Sequence, residues 1–371
     1  MTVTNNPAAV APEALDEFDE WGDGGDRPRE LSGRTLDDTM SLVGAAIGSL
    51  ALVWLLYERI LPVQGVLGFV LSWYVAFLAM YAAISWAGNP RPVVTDRLAS
   101  ALMHGGAAVV GFALLTTLVY TFVKAGPALW HLNLYTKDMG GIRPTAPLSE
   151  GGVLHAIVGS LIEVGIAVCF ALPMGLGAAV FMTEVGGRMG RVLRTIIEAM
   201  TALPDILAGL FIYTVLIIAL GMPRSGFPAA AALTVMMTPI IARSADVVLR
   251  VVPGGLREAG LALGASQWRT VWHVVLPTAR PGLATALILG MARTFGETAP
   301  VLITSGASTF FNADPFHYTM NSLPLFALTA VRSGQPIFIE RGFAAASILL
   351  GIVLLLFITA RRLARPRRTR S

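Results

Sequence analysis

Two charged side chains stand inside an apolar stretch late in the chain: Arg293 and Glu297, in Ala292-Arg293-Thr294-Phe295-Gly296-Glu297-Thr298-Ala299-Pro300. A guanidinium within hydrocarbon is unfavourable by several kcal/mol unless it is paired or hydrated. The spacing of four puts both groups on one face of a continuous helix. Gly282, Ala286 and Gly290 continue that face as small residues, which let a neighbouring helix come close. Two chemistries fit: an ion pair that locks this helix to its neighbour, or charged groups that line a route for an ionic solute. The residues alone leave both open.

Other chemistries find no residue set. A phosphate-cradling loop needs G-x4-G-K-[ST]. The only lysines are Lys124, between Val123 and Ala125, and Lys137, between Thr136 and Asp138, and neither fits. There is no His-Glu-x-x-His and no Gly-x-Ser-x-Gly. His104, His131, His155, His273 and His317 are scattered without metal-ligand spacing. Cys169 is the single cysteine, so no internal disulfide can form. An energy source, if it is ATP, sits on another chain.

The elements that must position Arg293 and Glu297 follow from composition. The chain is 55% hydrophobic and 13% charged, with mean hydropathy +0.68; a soluble domain carries about twice that charge. A membrane span needs about 20 apolar residues at 1.5 Å each. Eight segments qualify: 39–57, 65–87, 98–123, 154–182, 195–220, 227–242, 282–303 and 342–360. Pro204-Asp205 interrupts the fifth, whose first part is expected as a separate short helix. The sixth is short and is expected to extend into its flanks. The reading is an all-α polytopic membrane protein.

Basic residues orient it. With the N-terminus inside, 18 of the 27 Lys and Arg face the cytoplasm and 7 face outward, while Arg243 and Arg293 stay at or in the membrane. Both termini and the polar segment 245–280 then lie in the cytoplasm.

That segment has its own spacing: Arg257-Glu258-Ala259-Gly260, three residues, Gly264, nine residues, then Val274-x-Leu276-Pro277. It resembles the EAA loop of ABC-importer permeases, EAA-x3-G-x9-I-x-LP, with Gly260 and Val274 as the departures. The resemblance implies a short coupling helix seated in a groove of a separate ATPase through Glu258, Ala259, Gly260, Gly264, Leu276 and Pro277. It implies that glycine and alanine allow close backbone approach, that the glutamate starts the helix and that the proline ends the segment before the membrane.

Residues 293–304, R-T-F-G-E-T-A-P-V-L-I-T, resemble the signature of PstA-type permease subunits of bacterial phosphate ABC importers. Thr201-Ala202-Leu203-Pro204-Asp205-Ile206 with Gly209-Leu210-Phe211 is similar to that family's GVPSIxxGLF, with Asp205 in place of the usual serine. Pro239-Ile240-Ile241-Ala242-Arg243, Leu249-Arg250-x-Val252-Pro253 and Leu172-Pro173-Met174-Gly175 also agree, so the likeness covers about 98–360. It implies a type I ABC-importer permease core of six helices at 98–360, preceded by an extra hairpin at 39–87: eight spans in the bacterial inner membrane. It implies a phosphate path using Arg293, Glu297, Arg243 and Thr294. It implies a homologous second permease chain (PstC-like), two ATPase subunits (PstB-like) that carry ATP and Mg, and a phosphate-binding protein (PstS-like). No cofactor belongs to this chain. Alternatives are a sulfate or molybdate permease of the same architecture, or a stand-alone proton-coupled anion transporter; the EAA spacing argues against the latter.

Residues 1–38 hold ten acidic and three basic residues and few large apolar ones. Such a stretch reads as a solvated cytoplasmic tail; Leu15, Phe18 and Trp21 at helical spacing offer a small partner-binding helix as a second reading. The basic tail 361–371 fits anchoring at anionic membrane lipid rather than nucleic-acid binding.

Overall fold

The computed structural model describes residues 36–60 and 65–363. The expectations for residues 1–35 and for the end of the basic tail lie outside that range. Among the described residues every regular element is helical. Seven helices are long and apolar enough to cross a membrane, and one further pair forms a bent segment. The described chain makes two compact units that divide at Leu114/Leu115.

The first unit holds α1 (Leu36–Leu55, continued by a π-helical turn Leu56–Ile60), α2 (Val66–Gly88) and the start of α3 (Arg91–Leu129). α1 and α2 form the hairpin that the sequence predicts. Trp73 Nε1 donates to Ala46 O at 3.3 Å, and the Tyr57 and Ser72 hydroxyls lie 3.0 Å apart. Tyr74 OH donates to Ala101 O on α3, and Arg97 pairs with Asp38. α3 begins at Arg91, directly after the end of α2 at Gly88. Pro92 is its second residue, where a missing N–H leaves no helical bond unmade.

The second unit is built on α5 (Leu154–Val180, with a π-helical turn to Val185), α8 (Gly226–Val251) and α11 (Leu276–Phe295). Between α3 and α5 lies the single turn α4 (Asn133–Thr136). Small residues set the helix separations. A Cβ on Gly175 would stand 2.9 Å from Ile241, and one on Gly282 would stand 2.4 Å from Val248. Gly175 therefore seats α5 on α8, and Gly282 seats α11 on α8. Ala167, Ala171, Leu233, Met237, Ile241 and Phe295 fill the shared core. α13 (Leu323–Arg332), an apolar helix absent from the eight segments expected from hydropathy, packs with α14 (Pro336–Leu363) through Phe326, Ala330, Ala344 and Ala345.

Two spans depart from straight rods. The fifth is a pair: α6 (Gly187–Ala202) and a segment 205–219 made of α7 (Asp205–Ile212) and a π-helical stretch, bent by 101°. Pro204 causes the break, forcing Leu203 into extended backbone (φ −71°, ψ 136°). The seventh is not one helix over 282–303. α11 ends at Phe295, and α12 (Ala299–Thr304) starts anew with Pro300 in its first turn. Pro300 has no N–H to return to the carbonyl of Gly296, so the ladder cannot continue through this point. The expectation that Arg293 and Glu297 share one unbroken helix is therefore corrected: Glu297 sits in the break.

Candidate functional site

The break in the seventh span and the bend in the fifth meet. A Cβ on Gly209 would stand only 2.6 Å from Pro300 Cα, so α7 rests directly on the first turn of α12. Gly209 is one turn after Asp205, and Pro300 is three residues after Glu297. That approach brings three charged groups together. Arg293 Nη2 donates to Asp205 Oδ2 at 2.8 Å, and Glu297 Oε1 lies 3.7 Å from the same nitrogen. The side chains are 52% (Arg293), 37% (Asp205) and 17% (Glu297) exposed. The guanidinium thus stands on an open face with carboxylates on two sides.

The four residues expected along the path do not all converge. Thr294 turns inward: it is 2% exposed, and its hydroxyl donates to Gly290 O at 2.8 Å. The buried stripe Ala286–Gly290 therefore runs on to Thr294, and Arg293 lies at its edge rather than upon it. Arg243 is exposed on α8, without an ion pair among the described residues. Ile241 opposes Gly290, so the antiparallel register places Arg243 about 7 Å along the axis from Arg293, towards the cytoplasmic end.

Two residues of this region carry no assigned role from sequence. Asp205 draws notice there as part of the Pro204-Asp205 interruption and as a substitution for serine, and its partner is 88 residues away. Glu163 is an acidic residue inside the span 154–182. It is 1% exposed and lies against the Ser305 hydroxyl. Its presence in an apolar run is the available signal.

On the cytoplasmic side the polar segment folds as a helical hairpin: α9 (Gly254–Ala262), then α10 (Gln267–Thr270), which continues through a π-helical turn into α11. Gly260 lets α9 lie against Thr270, whose side chain would stand 3.0 Å from a Cβ at that glycine. Gly264 has φ +80°. It closes α9 with paired bonds, Gly264 N–H to Leu261 O (2.9 Å) and Ala265 N–H to Gly260 O (3.2 Å). This is the left-handed glycine termination of a helix. Glu258 does not start α9, which begins at Gly254 after Pro253; it is the fifth residue and exposed. Pro277 does not end the segment either, since it occupies the first turn of α11, where proline is tolerated. Ala259 is exposed, while Leu276 packs with Val271 and Val275. Leu256, Leu261, Leu263, Trp268 and Trp272 are all exposed, so the hairpin presents an apolar surface.

Charged groups fasten this hairpin to the bundle. Arg257 donates to Glu184 (3.0 Å) at the end of α5 and to Val252 and Leu249 carbonyls (2.8 Å each) at the end of α8. Asp246 on α8 accepts from Arg194 of α6 and from Arg250, each at 3.2 Å.

A helical bundle with a broken, charged span and an open cytoplasmic hairpin is the architecture of a transport subunit. Over residues 171–369, more than half its length, the chain matches the family described as binding-protein-dependent transport system inner membrane component. The chain belongs to that family and is a multi-pass protein of the bacterial inner membrane. Among its relatives is the phosphate transport system permease protein PstA 1 of Mycobacterium tuberculosis (strain ATCC 25618 / H37Rv), 37% identical over 254 residues, covering 68% of this chain and 82% of that one. Another is the phosphate transport system permease protein PstA of Xylella fastidiosa (strain Temecula1 / ATCC 700964), 34% identical over 263 residues, covering 69% and 88%. Of solved structures, a bacterial ABC transporter involved in the import of the acidic polysaccharide alginate aligns with TM-score 0.51 at 15% identity, covering 74% of this chain and all of that one. That likeness concerns the fold alone.

Proposed function

We infer that this chain is the transmembrane permease subunit of an ATP-driven phosphate importer. It forms part of the phosphate path and couples that path to ATP hydrolysis on another subunit. The observation that carries the path is Arg293, a permanently charged guanidinium half exposed at the break of a membrane span. The relatives' names supply the substrate.

The chemistry suits phosphate. A mono- or dianion entering a span loses hydration, and the planar donor set of Arg293 replaces part of it. A site that held the anion too strongly would not release it, and Glu297 at 3.7 Å competes for the same nitrogen. Sulfate offers similar oxygens but no proton, so a nearby carboxylate favours phosphate by accepting its hydroxyl. Arg243 extends the path towards the cytoplasm, and Thr294 supports it by fixing the backbone next to Arg293.

On this reading the exposed face of α9 and α10, with Glu258, Ala259, Gly260 and Gly264, is where an ATPase subunit docks, and Leu276 and Pro277 join that hairpin to the membrane helix. The importer comprises a second, homologous permease chain, two ATPase subunits holding ATP and Mg, and an external phosphate-binding protein. The test is copurification of the complex followed by ATPase assay. Hydrolysis stimulated by phosphate-loaded binding protein supports the reading, and stimulation by sulfate or molybdate instead would reassign the substrate.

A further inference from the structure

The Arg293 guanidinium is already held by a carboxylate that an incoming anion would have to displace. Asp205 is the nearer of its two acidic partners, at 2.8 Å against 3.7 Å for Glu297. The two partners differ in how they are held. Glu297 is mostly buried in the break between α11 and α12. Asp205 is more exposed and opens α7 directly after Pro204, at the 101° bend. Its Oδ2 accepts from Arg293 Nη2 as an anionic phosphate oxygen would. Exposure of both side chains keeps the pair weak enough to open and lets a solute reach it.

We propose that Asp205 is an internal competitor for the anion site: in this conformation its carboxylate closes Arg293 to phosphate, and movement at the α6–α7 bend withdraws it. The inference rests on the reading of Arg293 as a phosphate-path residue. The bend has a mechanical connection to the coupling hairpin. Arg194 ties α6 to Asp246 on α8, and Arg257 of α9 holds the last carbonyls of that same helix. A shift of α9 on its ATPase therefore reaches the bend through bonded groups. With Asp205 engaged, Arg293 is not a free cationic site, which limits leakage of anions when no ATP is being turned over.

The test is equilibrium binding of radiolabelled inorganic phosphate to the complete importer in lipid nanodiscs, without nucleotide or binding protein. Asp205→Asn and Asp205→Ser remove the competitor, and both should bind phosphate about three- to tenfold more tightly than the unaltered protein. Asp205→Glu keeps the charge and should stay close to it. Arg293→Gln should weaken binding roughly ten- to hundredfold in every background. Unchanged affinity in the Asn and Ser variants, with weakening in Arg293→Gln, overturns the competitor while the phosphate path stands. Binding that Arg293→Gln leaves unweakened removes that path, and the competitor with it. Where the neutral variants do not assemble, or binding is too weak to read, the unaltered chain decides. Phosphate should speed carbodiimide modification of Asp205 several-fold, read by mass spectrometry, and an unchanged rate overturns the proposal.

Discussion

Arg293 is where the residue-scale argument concentrates. Replacing it with glutamine keeps length and polarity but removes the charge that offsets anion desolvation. A lost charge-assisted contact of about 1.5–3 kcal/mol corresponds to roughly ten- to hundredfold. Arg293→Gln should therefore give an assembled complex that hydrolyses ATP but takes up phosphate slower by about that factor. Arg293→Gln with Glu297→Gln separates the two roles. A merely structural pair would regain transport when both members are neutral, whereas a path residue leaves the double variant as slow as Arg293→Gln alone. Phosphate uptake in cells lacking other importers, with complex abundance measured alongside, reads the outcome. Arg293 and Glu297 were legible because charge in an apolar run is conspicuous. Asp205 was not, because the contact that matters spans 88 residues and no local periodicity reports it. Thr294 shows the converse: next to Arg293 in sequence, it points into the core.

At the scale of elements, glycines decide the geometry. Gly209→Leu would drive a side chain into the Pro300 backbone and push α7 off α12. Overpacking of this kind is unfavourable by about 1–3 kcal/mol. The expected result is a lower melting temperature of the detergent-solubilised complex, together with transport reduced beyond what abundance explains. Full transport at normal stability would show that the α7–α12 contact does not position the charged cluster. Gly264 differs, because a Cβ there meets nothing within 4 Å and only the backbone objects, at φ +80°. Gly264→Ala should be tolerated at a cost of about 1–2 kcal/mol, while Gly264→Trp should release the ATPase without disturbing the spans. Copurification at full ratio by the Trp variant, with normal transport, would place the docking surface elsewhere. The sequence located the spans from hydropathy and the bend from Pro204. It missed the break at Gly296 because composition there stays apolar on both sides, and a proline in a span need not interrupt it.

At the scale of the whole molecule, the eight apolar segments, seven helices and one bent pair in the structure, were readable from hydropathy, since span count is a sum over many residues, whereas the six-helix core was implied only by the family resemblance. What was not readable is how the second unit packs, which depends on which small residue meets which neighbour. Deleting residues 1–36 removes the acidic segment and only the first residue of α1. Membrane insertion and phosphate uptake should remain largely intact, because the deleted stretch has too little apolar surface to contribute to a core. Loss of complex on gel filtration after that deletion would instead favour the partner-helix reading of Leu15, Phe18 and Trp21.

Arg341 stands 1% exposed in the outer part of α14 and donates to the carbonyls of Ala146, Pro147 and Glu150. In order of synthesis that arginine arrives some 190 residues after the loop it secures. The loop between α4 and α5 must therefore wait on the outer side, with those carbonyls hydrated, until the final span has been inserted. Closure of this contact is a late, long-range event in biogenesis. A chain truncated ahead of α14 keeps every residue of the charged cluster and the Asn133 bonds to Leu148 and Gly151, yet loses the Arg341 fastening of the outer loop and leaves it more open to proteolysis.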